Sequence, residues 1–448
     1  MLSHLVDKSL VSVEREQEDE ARYRLLETVR QYAREKLAES GEGSQVRDWH
    51  LAFFLELMER VEPEFLGPNQ AARLSRLAGT LWWFWRVHGH LIEGGEWLER
   101  LLAKTSARTV ARAKALCMLG GIALWVGGKE RALSVALAEE SLAIHRELGD
   151  KAGIAWSLSY LGQFVSQEQS ALSRSLDEES LALFREVGDR NGIAVVLLRL
   201  GNNLTSQGEV TQARSLVEES LSVRRAMGGK LGIASALQGL GAVAFQQGDL
   251  ALAQTLLEEA LGLWRELGDQ WGVGGALNLL GELARFRGDY VAARLLYEES
   301  LTIDQEIRNK RAVLDVLHNL SCVMLHQSDG QQATALFRDG LAQSQELEDK
   351  KDVILCLMGL ASVAGLLLKQ PQRAARLFGA SEALLQAMNA RLDKVDQTEY
   401  DRHRAAISAA LGDEAFNAAW EEGKRMSEEE AIKYALEESA TDGHPLRV

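Results

Sequence analysis

Few residues of this chain have the types and spacing for chemistry, and each meets a plainer competitor. His88-Gly89-His90 sets two imidazoles two positions apart, as at the start of a metal site, but no carboxylate or cysteine follows at ligand spacing. Surface or turn histidines are the simpler account. Gly272-Val273-Gly274-Gly275 has the glycine density of a nucleotide loop, yet the same register is held elsewhere by Gly192-Ile193 and Gly232-Ile233. Position in a repeat explains it without a phosphate. A phosphate loop of the form G-x-x-x-x-G-K-[ST] cradles phosphates on backbone N–H groups. Gly128-Lys129 and Gly229-Lys230 lack its leading glycine and run on into Glu130 and Leu231. Neither H-E-x-x-H nor G-x-S-x-G occurs. Paired carboxylates such as Glu139-Glu140 and Glu258-Glu259 recur because a longer unit recurs, and solvated helix faces account for them better than a site copied many times. Trp82, Trp83 and Trp85 could form a stacking platform; at helical spacing they also fit core filling, the blander reading. No enzyme, cofactor or metal centre is expected.

Composition limits the partners. The 448 residues carry a net charge of −15 without a Lys/Arg cluster, whereas a nucleic-acid surface needs a basic patch. Direct nucleic-acid binding by this chain is therefore not expected. No run approaches the roughly 18 apolar residues of a membrane span, and the start, "MLSHLVDKSLVSVEREQ", lacks the basic end and apolar run of a signal peptide. Cys117, Cys322 and Cys356 are odd in number and far apart, which argues against a disulfide framework or a zinc site and fits a reducing cytoplasm.

What must position any functional residue is helical. Four prolines occur, and none falls between Pro68 and Pro371. Since proline breaks helix interiors and is common in irregular connections, that span reads as helices joined by short turns. The leucine after "EES" and its equivalents recurs at Leu142, Leu181, Leu221, Leu261, Leu301 and Leu341, and the pair Leu-Gly at 161–162, 200–201, 240–241 and 280–281. Two anchors with one stride define a repeat of about forty residues, in the range of helical-pair solenoids. One step back, "LWWFW" (81–85) becomes the first helix of a divergent early unit.

Within a unit the apolar positions Leu252, Leu256, Leu257, Ala260, Leu261, Trp264 and Leu267 form one stripe of a 3.6-residue helix. Gly268 is placed to close that helix in the left-handed region, and Asp269 to cap the next. Each unit is thus helix A, a tight turn, helix B and a capped turn. Gly281, mid-helix, is expected to allow close approach to Ala293, as Gly241 to Ala253 and Gly201 to Ala213.

The run "ALNLLGELARFRGDYVAARLLYEESL" (276–301) resembles a tetratricopeptide repeat, with Leu280-Gly281, Gly288-Asp289-Tyr290, Ala293, Tyr297 and Ser300 at its signature positions. The forty-residue form, which ends in "RELGD" in place of a closing proline, is similar to the arrays of large bacterial regulators of the STAND ATPase and LuxR-type class, including maltose-operon activators. "LVDKSLVSVERE" and "RYRLLETVRQYAREKLAESGE" (22–42) resemble the last strands and final helix of the winged-helix module in such regulators. "RAARLFGASEALLQAM" (373–388) and "AFNAAWEEGKRMSEEEAIKYALEE" (415–438) resemble the segment that closes their repeats, and the stretch between Gln70 and Leu81 is about a helical pair shorter than the family implies. The resemblance implies a sensor arm carried without its ATPase motor and DNA reader.

The expected architecture is all-α: a winged-helix remnant (1–42), a helical linker (43–72), a tetratricopeptide-like α-solenoid of seven or eight units (73–390), a C-terminal helical cap (391–440) and a flexible tail (441–448). The concave face of such a superhelix is lined mainly by A helices. Its residues around the Leu-Gly mark, Asn202, Gln238, Asn278, Glu282, Arg285 and His318, are polar and differ from copy to copy. That pattern suits recognition of a protein, a peptide or a small polar ligand; plain solvated variation is the competing account. The expected role is a non-catalytic binding arm that regulates a STAND/LuxR-type transcriptional ATPase, the alternative being a free-standing interaction scaffold without a transcriptional role. The sequence leaves the oligomeric state open.

Overall fold

A computed structural model of the chain describes residues 11–15, 21–25, 85, 91–104, 106–124, 131–165, 170–388 and 390–437. The chain divides into two compact units, 1–70 and 71–448. In the first, β1 (Val11–Arg15) and β2 (Ala21–Leu25) pair antiparallel, Val11 opposite Leu25 and Val13 opposite Tyr23. These alternating segments are the expected strands. The helix expected after them, the 43–72 linker, the shortened 70–81 stretch and the 441–448 tail lie outside the described residues.

The second unit is helical throughout its described residues. Helix α1 (Leu91–Lys104) is followed by pairs of an A and a B helix: α2 (Val110–Ile122) with α3 (Arg131–Leu148), α4 (Lys151–Phe164) with α5 (Ser170–Val187), and α6 (Arg190–Ser206) with α7 (Val210–Met227). Next come α8 (Lys230–Gln247) with α9 (Leu250–Leu267), α10 (Gln270–Phe286) with α11 (Tyr290–Glu306), and α12 (Lys310–His326) with α13 (Gly330–Glu346). The last pair is α14 (Lys350–Ser362), extended by a π-helical turn (Val363–Leu367), with α15 (Pro371–Ala387). Three helices follow: α16 (Lys394–Leu411), α17 (Asp413–Gly423) and α18 (Glu428–Leu436). Successive A helices also pack on one another, forming the inner layer of a tetratricopeptide-like solenoid.

The turn chemistry follows the sequence. Gly268 sits at φ 71°, and the Asp269 carboxylate accepts from the Gly272 N–H at 3.2 Å, starting α10 where the B helix ends. In the later copies Arg308, Ser328 and Glu348 occupy the left-handed position at φ 56°, 62° and 53°; each costs on the order of 1 kcal/mol relative to glycine.

A repeated serine fastens the pairs. Ser180, Ser220 and Ser300 are buried and donate to the carbonyls of Ala155, Ala194 and Gly274 at 2.7, 2.7 and 2.9 Å, each tying a B helix to the A helix before it. The mid-helix glycines work differently from expectation. A Cβ on Gly281 would meet the Tyr297 ring first, at 2.5, 2.7 and 2.9 Å, rather than Ala293. Helical side chains lean toward the N-terminus, so the residue one turn beyond the alanine covers the contact. At Gly201 and Gly241 the carbonyls of Ala213 and Ala253 lie 3.2 and 3.5 Å away, but the side chains of Val217 and Leu257 come closer, the latter at 2.8 Å.

Trp85 is buried and meets Trp97 at 6.0 Å, so it fills core. Trp82, Trp83, His88 and His90 lie outside the described residues. Glu139, Glu258 and Glu259 are exposed, as solvated helix faces should be.

Candidate functional site

The inner layer is where the copies differ, and α10 and α12 carry a connected polar patch on it. Asn278, Glu282 and Arg285 are spaced i, i+4, i+7 and share one stripe of α10. Beside it α12 presents His318, Asn319 and Cys322. The side chains form a ladder. Asn278 donates to Glu282 Oε1 at 3.2 Å and accepts from Asn319 Nδ2 at 2.9 Å. Arg285 Nη1 donates to Asn319 Oδ1 at 3.1 Å.

The ladder ends on a helix from far along the chain. Arg285, whose side chain is fully buried, donates through Nη2 to Asp396 Oδ1 of α16, and its Nε lies 3.7 Å from Glu399 Oε1. His318 Nε2 is 3.3 Å from the same Asp396 oxygen. Glu399 is 3.0 Å from His326 Nε2, and His326 stacks on Tyr290 with centroids 4.4 Å apart. His403, one further turn along, meets Ser362 Oγ at 3.0 Å through Nδ1. Asp396, Glu399 and His403 share one face of α16 because they are spaced i, i+3, i+7.

The approach to α16 is anchored at helix ends. Arg391 Nη1 donates to the Gln207 carbonyl at 3.1 Å, and Lys394 Nζ to those of Phe245 and Gln246 at 3.2 Å each. The C-termini of α6 and α8 carry partial negative charge, so cations are favoured there. Lys394 also sits 5.3 Å from the centroid of Phe286 and 5.9 Å from that of Phe245. Residues 391–403 thus run along the inner layer from α6 to α14. The segment expected as an end cap does two things: α17 and α18 pack on α15 at the end of the stack, while the first half of α16 lies on the A helices.

Electrostatics fit a pair built for burial. Desolvation alone would raise the Asp396 carboxyl, but His318 and Arg285 outweigh it and hold it well below the usual carboxylate range. His318 is raised well above the ordinary imidazole value: Cys322 and Asp396 overcome the burial that works against its charge. Glu399 is lowered because Arg285 and His326 offset its burial. Glu282, without a partner cation as close, is pushed up to about 8 by burial, with Asp393 adding to the shift.

Of the six residues read from the sequence, the structure brings together Asn278, Glu282, Arg285 and His318. Gln238 lies one unit earlier, on α8, where its Oε1 accepts from the Trp264 indole at 2.9 Å and so holds a B helix. Asn202 is exposed on α6. Arg285 and His318 lie on the A helices α10 and α12 and are covered by α16. Sequence reasoning missed Asn319, His326, Lys394, Asp396, Glu399 and His403; the stripe of like polar positions on α16 is the signal that held the last three.

His318 Nε2, Cys322 Sγ and an Asp396 oxygen lie within 4.8 Å of one another, a donor set a divalent ion could use. His318 and Asp396 hold each other by an ion pair, and the buried Arg285 guanidinium touches the same carboxylate. An added dication would sit against that guanidinium, so the arrangement fits a proton and an arginine better than a metal.

Comparison with known proteins places these elements. A winged helix-turn-helix domain profile matches residues 1–38, and tetratricopeptide repeat profiles match 193–228 and 232–306. A predicted HTH-type transcriptional regulator of Mycobacterium bovis is 32% identical over 192 residues, covering 36% of this chain and 22% of that protein. Its counterpart in Mycobacterium tuberculosis matches equally. The chain therefore spans about a fifth of the length of the curated relatives it matches. Among solved structures, a Rap protein complexed with competence and sporulation factor aligns with a TM-score of 0.55 at 11% identity, over 82% of this chain and 99% of that one. A STAND protein with a tetratricopeptide repeat sensor from Pyrococcus horikoshii aligns with a TM-score of 0.47, also at 11% identity, over 93% of this chain and 60% of that one. The second unit is a tetratricopeptide-like α-solenoid, and the chain also carries an N-terminal winged helix-turn-helix match and is similar over part of its length to predicted HTH-type transcriptional regulators.

Proposed function

We propose that this chain is the non-catalytic sensing arm of a STAND/LuxR-type transcriptional regulator, acting in the cytoplasm. Its inner layer binds a protein or peptide segment, or alternatively a small polar ligand, and occupancy is passed to an ATPase in the same or a neighbouring polypeptide. One observation carries this reading: the A helices hold a polar ladder, buried at its Arg285 end, that is complementary to a helical segment lying along them. The Rap protein, a relative in fold, is described in complex with competence and sporulation factor, which supports an array of this shape as a receiver of another molecule.

The test is affinity capture with the purified chain, alongside a thermal-shift screen of metabolites. Expected is a captured protein whose retention falls when Asn278 and Glu282 are replaced by alanine, and whose own sequence contains a nucleotide-binding or DNA-reading region. A partner retained equally by the variant would move binding away from the inner layer. Partners wholly unrelated to transcription would favour the free-standing scaffold.

A further inference from the structure

We propose that the inner layer receives, from a partner protein, a helical segment in which a basic residue is followed two and five positions later by carboxylates, and that residues 391–399 of this chain hold that place in cis. The inference deepens the reading of the inner layer as the binding face and rests on it.

The contacts of the cis segment define the chemistry. Lys394 takes the carbonyls at the end of α8 and the faces of Phe245 and Phe286. Asp396, two positions on, takes Arg285 and His318. Glu399, five positions on, takes His326. Arg391 extends the pattern backward to α6. Val395, between the two charges, is 1% exposed and packs in the apolar core of α6 to α10. Every polar partner among these belongs to an A helix or its C-terminal end. Within each pair, the A and B helices are joined independently of this segment, through serines such as Ser180, Ser220 and Ser300.

The receiving surface is also specific in sign. Arg285 is fully buried, and without a carboxylate it would be left charged away from water, a strongly unfavourable state. A replacement must therefore bring the negative charge with it. Beyond Glu399, α16 is held separately, by Tyr400 against Phe378 at 5.2 Å and by Ile407 in the core shared with α14 and α15. The segment through Glu399 is thus the part that gives way, while the rest of α16 stays.

The experiment uses the full chain and a fluorescent synthetic peptide of residues 391–404, read by anisotropy. The wild-type chain is compared with Asp396→Ala/Glu399→Ala, which weakens the cis contact while leaving Arg285, His318 and His326 in place. Moving the open fraction from about 1% to near unity would tighten apparent peptide binding roughly a hundredfold. A peptide carrying Asp396→Lys and Glu399→Lys should bind neither chain. Lys394→Ala gives a second released chain should the first lose helicity by circular dichroism. Equal affinity of wild-type and folded released chains, or equal binding of the charge-reversed peptide, would overturn the inference. Proteins captured through the inner layer equally by both chains would also overturn it, while leaving the sensing-arm reading intact.

Discussion

Gly281→Leu offers the clearest measure of how tightly one helical pair is built. Gly281 lies mid-helix in α10, where glycine is about 1 kcal/mol less favourable than alanine, so helix propensity alone predicts that any side chain stabilises. The structure predicts the reverse. A Cβ there would stand 2.5 Å from a carbon of the Tyr297 ring, whereas carbon atoms attract best near 3.5–4.0 Å. Tyr297 is 0% exposed and wedged between α10 and the helices around it, so the ring has little room to withdraw. Overpacking of this kind typically costs about 1–3 kcal/mol. Set against the propensity gain, Gly281→Ala should fall between neutral and about 2 kcal/mol destabilising. Gly281→Leu, with three more carbons to place, should reach about 3 kcal/mol or more. Urea unfolding followed by circular dichroism gives the midpoints. The decisive variant is the double one: Tyr297→Ala alone should cost about 3–5 kcal/mol through its cavity, and the leucine introduced at position 281 would fill part of that space. The pair should then be less destabilised than the sum of the singles by about 1–3 kcal/mol. Simple additivity, or a Gly281→Leu chain as stable as wild type, would refute the packing argument.

Two further expectations test the polar elements. The folded Glu282 carboxyl holds its proton to about pH 8, whereas the unfolded one releases it near 4.5; its contribution to stability is therefore full below pH 4.5 and lost as pH rises through 8. Glu282→Gln should flatten that decline, although Asp352, also pushed up to about 8 by burial, keeps part of the slope; an unchanged pH–stability profile would place Glu282 in bulk solvent. Asp269→Ala removes the carboxylate that caps α10 and should lower stability by about 1–2 kcal/mol, with Asp269→Asn close to wild type in the same melts; equal losses in both would mean that charge, and not the cap, matters.

The fold was legible because its information is local. Leu142 through Leu341 keep one stride, Gly268-Asp269 marks a helix boundary by backbone rules alone, and both survive without knowledge of any distant residue. The inner layer was legible as a face: Asn278, Glu282, Arg285 and His318 follow from helical spacing around the Leu-Gly mark. What covers that face was not. Asp396 reaches Arg285 across 111 positions and Arg391 reaches Gln207 across 184, and nothing in the forty-residue period links them. The segment itself, "RLDKVDQTEYDRH", carries charges on several faces and reads as a solvated helix. Gln238 shows the opposite limit. Its polarity and position match its neighbours, yet a tryptophan on the next helix takes its oxygen, a pairing that depends on one side chain of one copy.

The segment along the inner layer also changes how the stack should come apart. In a solenoid each unit touches only its neighbours, so unfolding can begin at an end and proceed unit by unit. Arg391 and His403 fasten α6 at one end and α14 at the other. Five consecutive pairs, α6–α7 through α14–α15, are thereby linked to a common helical segment as well as to each other. Full opening of any of the five requires that segment to unseat, so they are expected to melt as one cooperative block. The pairs α2–α3 and α4–α5 lie outside it and keep the piecemeal melting of an ordinary array.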